Sequence, residues 1–167
     1  MPDGFSDPIK KIRSIADYQF WKGVGEMLFP DNVTLVFSKK TGRIRYVYLN
    51  GEMLATLRPS DGLFSLTISG AKRLFEIDGA KCLWVKVRDE AVYFVESGGN
   101  VFAKHVADVD EEIRPAEEVI VIDGKDRVIA VGRALLSGRE MKSFKRGAAV
   151  NVRMGCMRKV KKENGKK

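Results

Sequence analysis

The chain has 167 residues, 44% of them hydrophobic, and its 30 basic and 22 acidic residues give a formal net charge of +8. This length suffices for one domain or two small ones with a buried core, and no apolar run is long enough to cross a membrane. The N-terminal residues lack the apolar segment behind a basic one that marks a signal peptide. We therefore expect a cytoplasmic protein with no membrane attachment.

The positive charge is concentrated at the C-terminus. Residues 158–167 hold six basic residues and one acidic residue, a charge of +5, which leaves +3 for the other 157 residues. A basic segment without an apolar pattern is typical of a disordered tail. Such a tail either keeps a protein soluble or binds phosphate groups, and both interpretations stay open at this point.

The chemistry that metal centres and active sites need is scarce. Cys82 and Cys156 are far apart and His105 is the only histidine, so these residues cannot assemble a zinc site. No nucleophile with its base, no pair of catalytic carboxylates and no dinucleotide-binding fingerprint accompanies them. We therefore expect no catalytic residue, no metal, no cofactor and no small-molecule substrate.

Residues 1–78 predict an α+β domain. Asp7 and Pro8 are typical of the N-cap and first position of a helix, and apolar residues recur every three or four positions up to Met27, with a break at Gly23 and Gly25. The pattern that follows predicts four strands, over residues 33–37, 43–49, 52–57 and 63–68. A helix packed on an antiparallel sheet of this size completes a small domain.

Residues 79–157 predict a small mixed β-barrel, followed by the basic tail at 158–167. Strands are expected over residues 82–87, 91–95, 119–122, 128–131 and 148–152. Asp123-Gly124 makes a tight connection, so the strands on either side of it pair as an antiparallel hairpin. Gly98 and Gly99 are expected to form a turn that opens a short helix, whose free N–H groups would face an anion.

The second half resembles the PUA domain, an RNA-binding module. The resemblance is carried by four motifs in order: GGNVFAKHV (98–106), EEIRP with EEVIVID (111–123), VIAVGRALLSG (128–138) and FKRGAAVNVR (144–153). Ala116 departs from the family, which usually has glycine there. None of these motifs is specific alone, but all of them in this order form a strong signal.

The first half resembles the domain that precedes PUA in archaeal archaeosine tRNA-guanine transglycosylases and archaeosine synthases. The motifs are ADYQFWKGVGEMLFP (16–30) and TGRIRYVYLNGEMLATLRPSDGLFSLTISGAKRL (41–74), with Trp21 where the family usually has glycine. The family's catalytic domain is a (β/α)₈ barrel, which needs about 200 residues of its own. The resemblance therefore implies the RNA-binding C-terminal region of such an enzyme, standing alone.

This resemblance implies a non-catalytic tRNA-binding protein, with a separately encoded tRNA-modifying catalytic chain as a natural partner. The alternative is a PUA-type translation factor that acts at the ribosome. The implied RNA-binding residues are an aromatic, the glycine turn and the cations around it: Phe94, Gly98, Gly99, Asn100, Lys104, His105, Lys142, Lys145, Arg146 and Arg153. A secondary RNA contact is expected at the basic sheet edge of the first domain, from Lys39, Lys40, Arg43 and Arg45. For each, a structural or solvated role is the competing interpretation.

Overall fold

The computed structural model describes residues 7–77 and 82–157. The chain divides into two compact units, residues 1–80 and residues 81–167. The predicted domain boundary at residue 78 and the basic tail at 158–167 lie outside the described residues.

Three helices of the first unit pack together on one side of its sheet. Asp7 caps the first of them by accepting a hydrogen bond from the Ile9 amide, and Pro8 occupies its first turn, as predicted. Gly25 brings the second helix against the first, since an added Cβ would lie 2.3 Å from the Arg13 carbonyl oxygen. The helices are α1 (Pro8–Gln19), α2 (Val24–Leu28) and α3 (Ile68–Glu76).

The sheet of the first unit has four antiparallel strands in the order β1-β2-β3-β4, as the alternation predicted. The strands are β1 (Thr34–Phe37), β2 (Ile44–Leu49), β3 (Glu52–Leu57) and β4 (Phe64–Leu66). Its core includes a contact between the rings of Phe29 and Phe64, whose centroids lie 5.2 Å apart.

A β-bulge breaks the predicted alternation in β2. Phe37 pairs with Ile44 and Val36 pairs with Tyr46, so Arg45 is an extra residue with no partner on β1. Sequence alternation places Ile44, Tyr46 and Tyr48 on one face, and that assignment is wrong. Ile44 and Val47, three positions apart, are the buried residues of this strand, because the bulge shifts the register by one.

The second unit is a nearly closed mixed barrel, which confirms the predicted fold class. Its strand order is β6-β10-β9-β8-β5-β7, in which β5 and β8 are parallel and the other neighbours are antiparallel. The strands are β5 (Trp84–Val87), β6 (Val101–Phe102), β7 (Val106–Val109), β8 (Glu118–Ile122), β9 (Val128–Ala134) and β10 (Ala148–Gly155). Every residue of β8 is buried, which fits its continuous apolar run.

Two predictions for the second unit are wrong. Residues 91–95 were expected as a strand, but they belong to a 3₁₀ turn at Asp89–Ala91 and a helix, α4 (Val92–Glu96). The glycine pair was expected to open a helix, but it follows α4 and leads into β6, and only a 3₁₀ turn at Ala103–His105 comes later. A run of β-branched and aromatic residues as short as 91–95 does not distinguish a strand from a buried helix, so tertiary packing decides its conformation. The place of the glycine pair follows from this, because the pair ends the helix that those residues form.

A short helix, α5 (Gly138–Ser143), follows β9. Ser137 and Glu140 form a capping box, in which each side chain accepts a hydrogen bond from the backbone amide of the other. The residues that follow α5 return as β10, which pairs with both β6 and β9.

Ala116 adopts the left-handed conformation that its place in the turn before β8 requires, with φ of +76°. Its amide donates to the Ala134 carbonyl at 2.7 Å and its own carbonyl accepts from the Arg133 Nε at 3.2 Å, so both neighbours hold it there. The glycine usual at this position would adopt this φ without strain, whereas an alanine is strained by its Cβ.

We therefore expect Ala116→Gly to raise the free energy of unfolding of the second unit by about 1 kcal/mol. Thermal unfolding should show an increase in Tm of about 4 °C for a domain of this size. Ala107 is a matched control, because it is equally exposed but lies within strand β7. Ala107→Gly should lower the Tm, and a lower Tm for Ala116→Gly as well would show that the turn carries no strain.

Candidate nucleic-acid interface

Two exposed phenylalanines lie side by side on the barrel. Phe94 on α4 is 53% exposed and Phe102 on β6 is 37% exposed. Their ring centroids lie 6.5 Å apart with 29° between the ring planes, so the two faces are nearly parallel. Burial of a large aromatic ring is energetically favourable, so an exposed pair of rings is suited to stacking against another flat, apolar group.

Gly99 provides the seat for the Phe94 ring. A Cβ added at Gly99 would lie 2.3 Å from Cε2 of Phe94, closer than two such atoms can approach. The left-handed residue of the pair is Gly98, with φ of +109°, and Gly99 lies outside that region. The predicted importance of Gly99 therefore comes from the space that it leaves for the Phe94 ring.

The glycine pair and Asn100 have structural roles. The amides of Gly98 and Gly99 donate to the carbonyls of Val95 and Phe94, each at 2.9 Å, and so close the end of α4. Asn100 accepts a hydrogen bond from the Val152 amide at 2.9 Å and so joins the turn to β10. The expected anion site at a helix N-terminus is therefore not formed here, because both glycine amides are already used.

Cationic residues lie on the chain segments next to the phenylalanine pair. Phe102 pairs with Ala148, and the Ala103 amide donates to the Gly147 carbonyl at 2.9 Å, which brings the segment before β10 beside β6. Lys145 and Arg146 come immediately before that segment, and Lys104 follows Ala103. All three side chains are exposed.

Arg88 joins this group, and sequence analysis did not identify it. Its amide donates to the His105 carbonyl at 2.8 Å and its Nε donates to the Lys104 carbonyl at 3.3 Å. Arg88, Lys104, Lys145 and Arg146 form no ion pair within residues 7–77 and 82–157. We call the two rings and these four cations, Phe94, Phe102, Arg88, Lys104, Lys145 and Arg146, the aromatic–basic edge.

Two of the predicted cations have carboxylate partners. Lys142 donates to Glu111 at 2.8 Å and lies 4.0 Å from Asp108, and these contacts raise the pKa of Lys142 and lower that of Glu111. Arg153 binds both carboxylate oxygens of Glu118, a side chain only 1% exposed. Their charges are therefore largely balanced within the protein. In this respect Lys142 and Arg153 differ from the cations of the aromatic–basic edge. His105 contributes its carbonyl to Arg88.

Three of the four cations predicted as the secondary RNA contact lie together in the first unit. Lys40, Arg43 and Arg45 line one cleft of about 430 Å³, together with Lys11 of α1. Lys39 is exposed and is not among the residues that line it. Lys11 escaped sequence analysis because only the packing of α1 on the sheet brings it to the strands.

Residues 7–77 and 82–157 contain no group of three or more His, Cys, Asp or Glu side chains placed to hold a metal ion. In the same part of the chain, every helix is too short or too polar to span a bilayer.

Comparison with known protein families decides what these units are. Residues 10–81 match the profile of the patch-forming domain C2 of tRNA-guanine transglycosylase, and residues 84–155 match that of the PUA domain. The chain is a transglycosylase-type C2 domain followed by a PUA domain. The aromatic–basic edge belongs to the PUA domain, and the basic cleft belongs to the C2 domain.

The C2 and PUA domains are similar to part of archaeal tRNA-guanine(15) transglycosylases. The chain is 40% identical to the Methanothermobacter thermautotrophicus protein over 149 residues, which are 89% of this chain and 23% of that one. It is 45% identical to the Pyrococcus furiosus protein over 148 residues, which are 89% of this chain and 25% of that one. The chain thus spans about a quarter of the length of these curated relatives.

Solved structures share the fold of both domains. A hypothetical protein of Pyrococcus horikoshii superposes with a TM-score of 0.73 at 25% identity, covering 93% of this chain and 94% of that one. A conserved PUA domain protein of Thermoplasma acidophilum superposes with a TM-score of 0.65 at 17% identity, covering 92% and 91%. Both likenesses extend over nearly the full length of each chain, so proteins of these two archaea share the folds of the two domains.

Proposed function

We propose that this protein binds RNA, with tRNA as its ligand, and that it does so without catalysing a reaction. The observation that carries the proposal is the aromatic–basic edge, where two exposed rings lie among four cations that have no ion pair within the described residues. Unstacked bases bind aromatic faces and phosphates bind lysine and arginine, so this combination suits the end or loop of a structured RNA.

The choice of tRNA rests on similarity. The C2 profile is that of a tRNA-guanine transglycosylase, and the relatives are named for that activity on tRNA. The chain matches about a quarter of the length of those relatives, and its described residues contain no group of His, Cys, Asp or Glu side chains placed to hold a metal ion. We infer that it docks tRNA in the cytoplasm for a separately encoded modifying enzyme, with Lys40, Arg43 and Arg45 of the C2 domain as a second RNA contact.

Binding of folded tRNA should fall steeply with salt. Each phosphate neutralised contributes about 0.7–0.9 to the slope of log Kd against log salt concentration, so the four cations of the edge contribute about 3 and the three cations of the C2 domain about 2 more. Fluorescence titrations at several salt concentrations between about 50 and about 200 mM measure this slope. A chain shortened to residue 157 separates the contribution of the basic tail from that of the folded domains.

The same tRNA should be chemically unchanged after incubation with the protein. Mass spectrometry of its nucleosides tests this, and base exchange by the chain alone would contradict the non-catalytic part of the proposal. Sequencing of RNA that copurifies from the native host tests the ligand. Enrichment of tRNA supports the proposal, whereas enrichment of small-subunit ribosomal RNA would instead favour a translation factor.

A further inference from the structure

The basic cleft of the C2 domain supplies the proposed second RNA contact, and it has further features that a purely electrostatic contact does not need. Its volume of about 430 Å³ is enclosed by α1, the β1–β2 connection, β2 and the turn between β3 and β4. A space of this size holds a small organic ligand.

The charge of the cleft is one-sided. Five of its lining residues are basic and none is acidic. Arg58 is the one that has a carboxylate partner, through two hydrogen bonds to Asp61 at 2.9 and 3.1 Å. Lys11, Lys40, Arg43 and Arg45 form no ion pair within residues 7–77, so four positive charges converge on one space. Such convergence costs free energy by mutual repulsion and favours an anion.

Arg45 carries the most specific signal. It is the extra residue of the bulge in β2, and bulges commonly re-aim a side chain near a binding site. Its Nε is buried and has no hydrogen-bond partner within the described residues. Its guanidinium carbon lies 5.4 Å from the centroid of the Tyr46 ring, which holds the group in place. A buried donor without an acceptor calls for a ligand or a water molecule.

Part of the cleft wall is apolar. Ile15, Ile44, Leu57 and Pro59 line it beside the cations, with Ile44 and Leu57 contributed by the core of the sheet. A bare phosphate or sulfate would leave this wall uncovered. A ligand with an anionic end and a flat, weakly polar end would satisfy both parts.

We propose that this cleft binds one nucleotide unit, with its phosphate at Arg45 and the neighbouring cations and its base against the apolar wall. The nucleotide comes either from an RNA strand or from a free mononucleotide, and the chemistry of recognition is the same. The RNA source rests on the proposed function, whereas the mononucleotide source is independent of it.

The test is a titration of the full chain monitored by NMR. The backbone amides of Ser38, Thr41 and Gly62 serve as reporters, because these residues line the cleft. The probes are adenosine 5′-monophosphate, a five-residue oligoadenylate, adenosine and inorganic phosphate. We expect at least one of the two nucleotide probes to shift these amides at a lower concentration than adenosine or phosphate does. Tighter binding of the oligonucleotide than of the monophosphate assigns the RNA source, and binding of the monophosphate as tight as that of the oligonucleotide, or tighter, assigns a free-nucleotide site.

Variants connect the binding to the proposed contacts. Arg45→Met should weaken nucleotide binding at least tenfold, and Arg45→Lys should recover part of the loss. Lys39→Met removes a neighbouring charge outside the cleft and should change binding less than twofold. Should Arg45→Met fail to fold, Lys11→Met with Lys40→Met removes two exposed charges from the rim and should weaken binding in the same direction.

Failure here is distinguishable from failure of the proposed function, because Phe94→Ala leaves the cleft intact and should not alter its titration. The proposal is overturned when neither nucleotide probe shifts the cleft amides. It is also overturned when the folded variants bind like the parent, or when phosphate alone binds as tightly as the nucleotides.

Discussion

Arg153→Met is expected to lower the free energy of unfolding of the PUA domain by about 3 kcal/mol, the lower end of the range for breaking a buried ion pair. The Glu118 side chain is 1% exposed, and both of its carboxylate oxygens accept hydrogen bonds from the Arg153 guanidinium. The variant leaves that carboxylate buried beside an apolar side chain. We place the effect at the lower end because Arg153 is 34% exposed, so water can reach part of the site.

Chemical denaturation measures this loss, and two further variants interpret it. Arg139→Met breaks an ion pair of 3.7 Å whose side chains are 75% and 82% exposed, so it should cost less than about 1 kcal/mol. Replacing Glu118 and Arg153 together with methionine should recover most of the stability, because no charge is then left buried. An equal loss from Arg139→Met would show that burial of Glu118 is not the cause.

This result also separates stability from RNA binding at Arg153. The sequence predicts Arg153 as an RNA contact, but in the structure its guanidinium is used by Glu118. Under conditions in which Arg153→Met stays folded, its tRNA affinity should therefore change much less than that of a variant of the aromatic–basic edge.

Phe94→Ala is expected to weaken tRNA binding by about 5- to 150-fold, which corresponds to the 1–3 kcal/mol of one stacked base. Fluorescence titration at fixed salt measures the Kd. The physical reason is the loss of an exposed ring that lies over Gly99 and beside Phe102. Because the side chain is half exposed, its removal should lower stability only slightly.

Three variants distinguish stacking from general contact. Phe94→Leu keeps the apolar bulk but loses the flat face, so it should bind nearly as weakly as Phe94→Ala. Gly99→Ala keeps the ring but displaces it, and it should weaken binding without unfolding the turn. Leu135→Ala removes a similarly exposed apolar side chain outside the edge and should leave the Kd unchanged. Parent-like affinity for both Phe94 variants would place the RNA elsewhere.

Patterns that depend on neighbouring residues were predicted correctly from the sequence. The cap of α1 at Asp7 and the β8–β9 hairpin at Asp123-Gly124 each need only a few adjacent side chains. The order of these elements, together with the motifs, was also sufficient to predict the two domains that the family comparison identified.

The tertiary structure decided where side chains meet. Residues 91–95 form a helix although their composition suits a strand, because packing of α4 against β9 and β10 outweighs weak local preference. The bulge at Arg45 changes which face that residue occupies, and no alternation rule reveals a single inserted position. Phe102 and Arg88 enter the candidate site through β6 pairing and a backbone hydrogen bond from distant parts of the chain.

The sequence by itself therefore determined the two domains, their fold class and the cations available to bind an anion. Only the tertiary structure decided which of those cations remain free for a partner. Arg153 and Lys142 are paired with carboxylates about 30 residues away in the chain, and Lys11 joins strands that are distant in sequence. Ion pairing depends on distance in space and on burial, and neither is a property of a residue's position along the chain.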